Sequence, residues 1–244
     1  MAVPESEDGD FIPGIYNYCD RWCERCTMTT KCRQYAMECA RDAFNADGSN
    51  EGDSYEFMES LLNFPEVETI EESPEENKFS PEPSEEIDEL DFDEYMQKQE
   101  EIDRQTRSTP CVKLADHYMS EGTRWLDEWE SLVHEQEDDA HNSLGDALEI
   151  INWYLFQMST KLRRAVNGKI GRSEFLQDDV HGSAKVVLLG AEKSRTAWRT
   201  LQSFLPEDNR DAVSPVLTVL NELIVEIDLE IPQARSFKRP GFDD

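Results

Sequence analysis

Apolar residues recur at intervals of three, four and seven along the second half of the chain, and each such run predicts an amphipathic helix. Cys111, Leu114, Tyr118, Trp125, Trp129 and Leu132 make the first stripe. Ser108-Thr109-Pro110 ahead of it reads as a helix start, with a hydroxyl to cap the end and proline in the first turn. Leu144, Leu148, Ile151, Leu155, Met158 and Leu162 make the second stripe, which ends near Gly168; Glu135 to Asp139 between them reads as a polar turn. A third helix is expected from about Gly182 to Leu205 and a fourth from about Ala212 to Ile231. The fourth carries Val213, Leu217, Leu220, Ile224 and Ile227 on one side and is stopped by Pro232. Asp91 to Arg104 is a candidate fifth. No run alternates as a strand would, and no segment repeats. Short connections predict antiparallel neighbours. The expected fold is therefore all-α: an antiparallel bundle of four helices, or five, preceded by a small Cys-rich module and an acidic linker.

The first half of the chain is organised differently. Residues 1–12 form an acidic tail, 13–45 hold five of the six cysteines, 46–86 form the linker, 87–231 the helices and 232–244 a C-terminal tail. From Asp47 to Asp103 there are 22 acidic residues and two basic ones, Lys78 and Lys98. Pro65, Pro74, Pro81 and Pro83 punctuate the middle of this stretch, and few apolar residues accompany them. Such a segment cannot bury enough surface to offset its ordering entropy, so disorder or loose docking is expected. Tyr55, Phe57, Met58, Leu61, Leu62 and Phe64 within it could form a short docking helix.

Charge narrows the function classes. The chain of 244 residues has 54 Asp plus Glu against 24 Lys plus Arg, a formal net charge of −30. Phosphate backbones would be repelled over most of such a surface, which argues against nucleic acid as a partner. No stretch of about 18 apolar residues is available to span a membrane. The acidic opening, Met1 to Phe11, lacks the apolar segment of a secretion signal, so a cytoplasmic location is expected. From Ser159 to Thr200 the balance reverses, with nine basic residues against four acidic ones. Lys161, Arg163, Arg164, Lys169 and Arg172 cluster at a helix end, where cations suit the dipole. This cluster is either a landing place for the acidic linker or an ordinary solvated face.

The chemistry is concentrated in the cysteines. Cys19, Cys23, Cys26 and Cys32 follow a C-x3-C-x2-C-x5-C spacing within fourteen residues. Thiolates this close can converge on one centre, and a metal can supply the folding free energy that a module of about 30 residues lacks. Cys32 lies at the start of the helical run Lys31 to Phe44, whose first amides would favour a thiolate. Cys39 is a small core residue or a fifth ligand, and Cys111 is a buried thiol on its stripe. Zinc suits a structural role, although such sites commonly set two cysteine pairs well apart. Four cysteines in one run also fit iron–sulfur ligation, although the spacing matches none of the standard ferredoxin runs. Both cofactors stay open, as do a disulfide framework and inert thiols.

Two resemblances arise from these residues. Cys19-x3-Cys23-x2-Cys26 resembles the cluster-binding triad of radical S-adenosylmethionine enzymes. Arg25 stands where an aromatic is usual, and no strand–helix alternation follows to build their barrel. The run from Tyr16 to Cys26 resembles the opening of uncharacterised bacterial proteins that join a Cys segment to a helical domain, with Thr27 here in place of a proline. No known activity follows from that resemblance. Tyr16, Tyr18 and Trp22 are expected to pack around the cysteines or into a mini-core.

Enzyme motifs do not emerge elsewhere. None of His117, His134, His141 and His181 follows a Glu by three residues, the spacing a di-iron bundle uses. Asp138 to His141 and Asp178 to His181 read as turns, and Glu192 with Arg195 as an inward ion pair. Gly168-Lys169-Ile170-Gly171 is too short for a phosphate loop. The expectation is a non-enzymatic metal-binding adaptor or regulator with protein partners. The alternative is an iron–sulfur redox or sensor protein, and the third a radical enzyme.

Overall fold

The computed structural model describes residues 11–46, 89–137, 143–171 and 177–243. The expected docking helix and most of the acidic linker fall outside them. Of the expected polar turn, Glu135 to Glu137 continue a helix instead, and only 138 and 139 fall outside. Every regular element described is helical. α1 spans Arg33–Ala46, α2 Glu89–Ser108, α3 Pro110–Glu137, α4 Ser143–Gly171, α5 Gln177–Phe204 and α6 Ser214–Glu230, with short 3-10 turns between. The all-α expectation holds. Among the described residues no helix is long and apolar enough to cross a membrane.

Two compact units make up the chain. One is Asn17–Trp22 with Lys98–Asp244, the other Met1–Tyr16 with Cys23–Gln97. In the first, the stripes read from sequence become one core. α3 buries Cys111, Val112, Ala115, Tyr118 and Trp125, and α4 buries Leu144, Ile151, Leu155, Met158 and Leu162. α6 contributes Leu220, Leu223, Ile224 and Ile227. α5 is buried on more of its circumference than one stripe, because Ser183, Ala184, Gly190, Ala191 and Ala197 let neighbouring backbones come close. Trp198 fills the centre: its indole N–H donates to the Tyr118 hydroxyl at 3.1 Å, and its ring meets that of Trp125 edge-on.

Helix boundaries differ from expectation where polar residues start a helix. α5 begins at Gln177, so Asp178 and His181 occupy its first turns and not a loop. Acidic residues are favourable there, next to unpaired amides, and Gly182 is helix interior. At the α2–α3 junction the start at Pro110 is as read, but the capping is not. The Ser108 and Thr109 hydroxyls both turn back to the Gln105 carbonyl, at 2.7 and 3.0 Å. With one residue between the helices, they share one orphan carbonyl of the last turn of α2 in place of the amides opening α3. The last residues also pack. Pro232–Arg235 form a 3-10 turn, Ala234 is buried, and Arg239 pairs with Asp243, which holds that carboxyl at about 2.

Cys111 makes an alkaline prediction. Burial is the main cause that pushes its thiol from 9.0 up to about 12, and burial likewise pushes the Tyr118 hydroxyl to about 12. A value raised on folding stabilises fully below the unfolded value and is lost as pH climbs through the folded one. Wild-type stability is thus expected to fall between pH 9.0 and about 12, with Cys111→Ala flattening part of the slope. Denaturant midpoints measured across that range check it; parallel curves for the two proteins would refute it.

Candidate metal centre

The cysteine run is built from tight turns. Ile15–Tyr18, Cys23–Arg25 and Thr29–Lys31 are single 3-10 turns. Cys26 N–H donates to the Cys23 carbonyl at 3.2 Å, and Cys32 N–H to that of Thr29 at the same distance. The Ile12 N–H reaches the Lys31 carbonyl at 3.1 Å and closes the segment. Cys32 is extended, at φ −109° and ψ 105°, and its carbonyl accepts the Ala36 N–H at 3.1 Å. It therefore sits at the N-terminal edge of α1, as the sequence suggested. The Met28 N–H donates to Cys26 Sγ at 3.3 Å. Cys39 lies one turn after Tyr35 on α1 and bonds its hydroxyl, which raises the tyrosine's pKa.

None of the six cysteines is in a disulfide. Cys19, Cys23, Cys26, Cys32 and Cys39 are partly buried, and Cys111 is fully buried. Among the described residues no group of three or more His, Cys, Asp or Glu is placed to hold a metal ion.

Sequence reasoning missed the residue that fixes Cys19: its neighbour Asp20. The Tyr154 hydroxyl of α4 donates to Asp20 Oδ2 at 2.6 Å. Lys193 of α5 donates to the same oxygen at 3.2 Å and to the Tyr154 oxygen at 2.9 Å. The Asp20 carbonyl accepts the Trp153 indole N–H at 2.9 Å and the Gln157 side-chain amide. Trp22 stacks on Trp153, with centroids 4.9 Å apart and planes 12° from parallel. Tyr18 meets Phe237 edge-on at 4.9 Å. Trp22 thus packs on α4, and Tyr18 on Phe237 beyond the last 3-10 turn, as the mini-core expectation has it. Between these anchors Arg21 takes φ 58°, a left-handed conformation that costs a side-chain-bearing residue about 1–2 kcal/mol.

The electrostatics follow from the burial. Desolvation alone would raise the Asp20 carboxyl, but bonds from Tyr154, Lys193 and the Trp22 N–H outweigh it and hold it below the ordinary carboxylate value. Burial raises the Tyr154 hydroxyl strongly, and its bond to Asp20 adds to this. Tyr154 is therefore a donor locked in its protonated form, not an activated base. Burial also raises the Cys19 thiol, opposed by the Arg21 N–H and the Lys161 charge.

The basic cluster is largely paired within the fold. Arg163 bonds Asp116 at 2.5 Å and Arg164 grips Asp179 through two nitrogens, at 2.8 and 2.5 Å. Lys169 bonds Glu230 at 2.7 Å, and Lys161 donates to the Asn17 carbonyl at 3.3 Å. Arg172 lies outside the described residues. Glu192 does not pair with Arg195 as expected: it takes Arg235 at 3.1 Å, and Arg195 bonds Asn221 at 3.2 Å. Residues three apart on one helix can each find a better partner across the packing, and here both do.

No family model matches the chain, and neither a curated protein nor a solved structure matches it.

Proposed function

We propose that the chain is a non-enzymatic metal-binding adaptor, with Cys19, Cys23, Cys26 and Cys32 taking up one zinc ion beside a helical interaction bundle. The observation that carries this reading is the anchoring of Asp20 next to the first of these cysteines. The donor chemistry agrees. Cys26 receives an amide N–H, and the four cysteines lie within fourteen residues in a segment of short 3-10 turns. Binding would supply the free energy that closes the ligands around the ion, as metal sites seldom preform without their metal.

The helices read best as an up-and-down bundle. The end of α4 meets the start of α5 through Arg164 and Asp179, and the ends of α4 and α6 meet through Lys169 and Glu230. The interaction surface would be a protein-binding one, given the chain's acidity.

Elemental analysis of protein purified without added metal tests the proposal. One zinc per chain is expected, lost together when Cys23 and Cys26 are both replaced by serine. Stoichiometric iron with visible colour would replace zinc by an iron–sulfur cluster and favour a redox or sensing role. Metal-free protein whose four thiols are all rapidly alkylated in the native state would refute any centre.

A further inference from the structure

A cleft between α2, α4 and the first turn of α5 uses none of the cysteines. Its volume is about 560 Å³. Arg107 of α2 and Arg163 and Arg164 of α4 line it, together with Thr106 and Asn167. Asp103 and Asp179 line it as well. Three guanidiniums stand against two carboxylates in the lining, and a third carboxylate, Asp116, pairs with Arg163 from outside it.

The carboxylates are already engaged, and what they do is hold the donors in place. Asp179 takes Nε and Nη2 of Arg164, and Asp103 accepts the Asn167 side-chain amide at 2.8 Å. Outside the cleft, Asp116 takes Nη2 of Arg163 and the Ser159 hydroxyl accepts its Nε at 3.3 Å. Arg107 spends only its Nε, on the Asp103 carbonyl at 3.3 Å. Nη1 of Arg163 and Arg164 and both terminal nitrogens of Arg107 make no hydrogen bond among the described residues. Guanidiniums fixed along one edge keep planar forks for an oxyanion at little further entropic cost.

The independent observation is Thr106. It is 3 % exposed, it lines this cleft, and its hydroxyl has no hydrogen-bond partner. Burying an unmet hydroxyl costs about 1–3 kcal/mol, and native folds rarely leave one without water or a ligand to meet it.

We propose that this cleft binds a small phosphate-bearing molecule, its oxyanion held by Arg107, Arg163 and Arg164 with the Thr106 hydroxyl donating. Arg107 comes from α2 and Arg163 and Arg164 from α4, so a phosphate, with three oxygens to offer, can meet more than one of them. A small anion suits the site better than a polyanion, which the acidic chain would repel over most of its surface.

The test titrates the full chain with inorganic phosphate and with pyrophosphate at constant ionic strength, followed by amide NMR and calorimetry. Saturable binding of at least one probe is expected, with shifts centred on Thr106, Arg107 and Asn167. Arg107→Gln should weaken it about tenfold, the loss of one charge-assisted bond of about 1.4 kcal/mol. Thr106→Val should weaken it several-fold. Arg107 is exposed and bonds only a carbonyl of its own helix, so its variant tests binding without testing folding. No saturable shift with either probe, or equal binding by wild type and Arg107→Gln, would overturn the proposal.

Discussion

Replacing Asp20 with alanine is expected to lower stability by about 2–3 kcal/mol, because a nearly fully buried hydroxyl loses its acceptor and a small network loses its centre. Tyr154 is 1 % exposed, so water cannot readily replace the carboxylate. Lys193 is different: its side chain is 54 % exposed and solvent can take over its bond, so little of the cost comes from that ion pair. Asp20→Asn keeps an acceptor and should lose about half as much. The carboxyl is held below its ordinary value, so its contribution is complete above the unfolded value of about 3.9 and disappears as pH falls through the folded one. The gap between wild type and Asp20→Asn should therefore close on acidification below about pH 4. A second readout separates anchoring from simple packing. Cys19 adjoins Asp20, and its alkylation should quicken in Asp20→Ala while that of Cys111, buried in the helical core, does not. A variant within about 0.5 kcal/mol of wild type, with Cys19 equally protected, would show that the carboxylate anchors nothing.

The helices were readable in the apolar spacing because each stripe is local. Cys111, Tyr118 and Trp125 repeat on one face of α3, and Leu144, Ile151, Leu155, Met158 and Leu162 on one face of α4, and the structure buries all of them. Where signals were not apolar the reading slipped. Asp178 and His181 looked like loop residues, and only the preference of carboxylates for an opening helix turn explains them. The anchoring at Asp20 had no sequence signature. It is one acid among 54 Asp plus Glu, and its partners Tyr154 and Lys193 stand 134 and 173 positions away. The position of Trp22 within the Cys run left open whether it packs around the sulfurs or into a mini-core, and the ring it stacks on, Trp153, lies on α4. The unmet Thr106 hydroxyl was equally silent, since burial of a lone threonine depends on which helix covers it.

Gly190→Ala should cost about 2 kcal/mol although alanine is the better helix former, because the added methyl meets the ring that serves Asp20. A Cβ at this position of α5 would lie 2.7 Å from Cδ1 and 3.0 Å from Cε1 of Tyr154, and 3.4 Å from Cγ of Met158. Helix propensity returns about 1 kcal/mol, while overpacking a filled core costs about 1–3 kcal/mol and an aromatic ring cannot bend away as a flexible chain would. Tyr154 is also tethered at its far end by the Asp20 carboxylate, so moving the ring strains that bond too. The two sites must then be coupled. In an Asp20→Ala background the ring is released at its hydroxyl and can tilt, so Gly190→Ala should cost less there, by about 1 kcal/mol. A double-mutant cycle from denaturant unfolding measures this directly. Strict additivity would mean that the ring accommodates the methyl without disturbing Asp20. A coupling of the expected sign would mean that the close packing of α4 on α5 sets the position of the hydroxyl that holds Asp20.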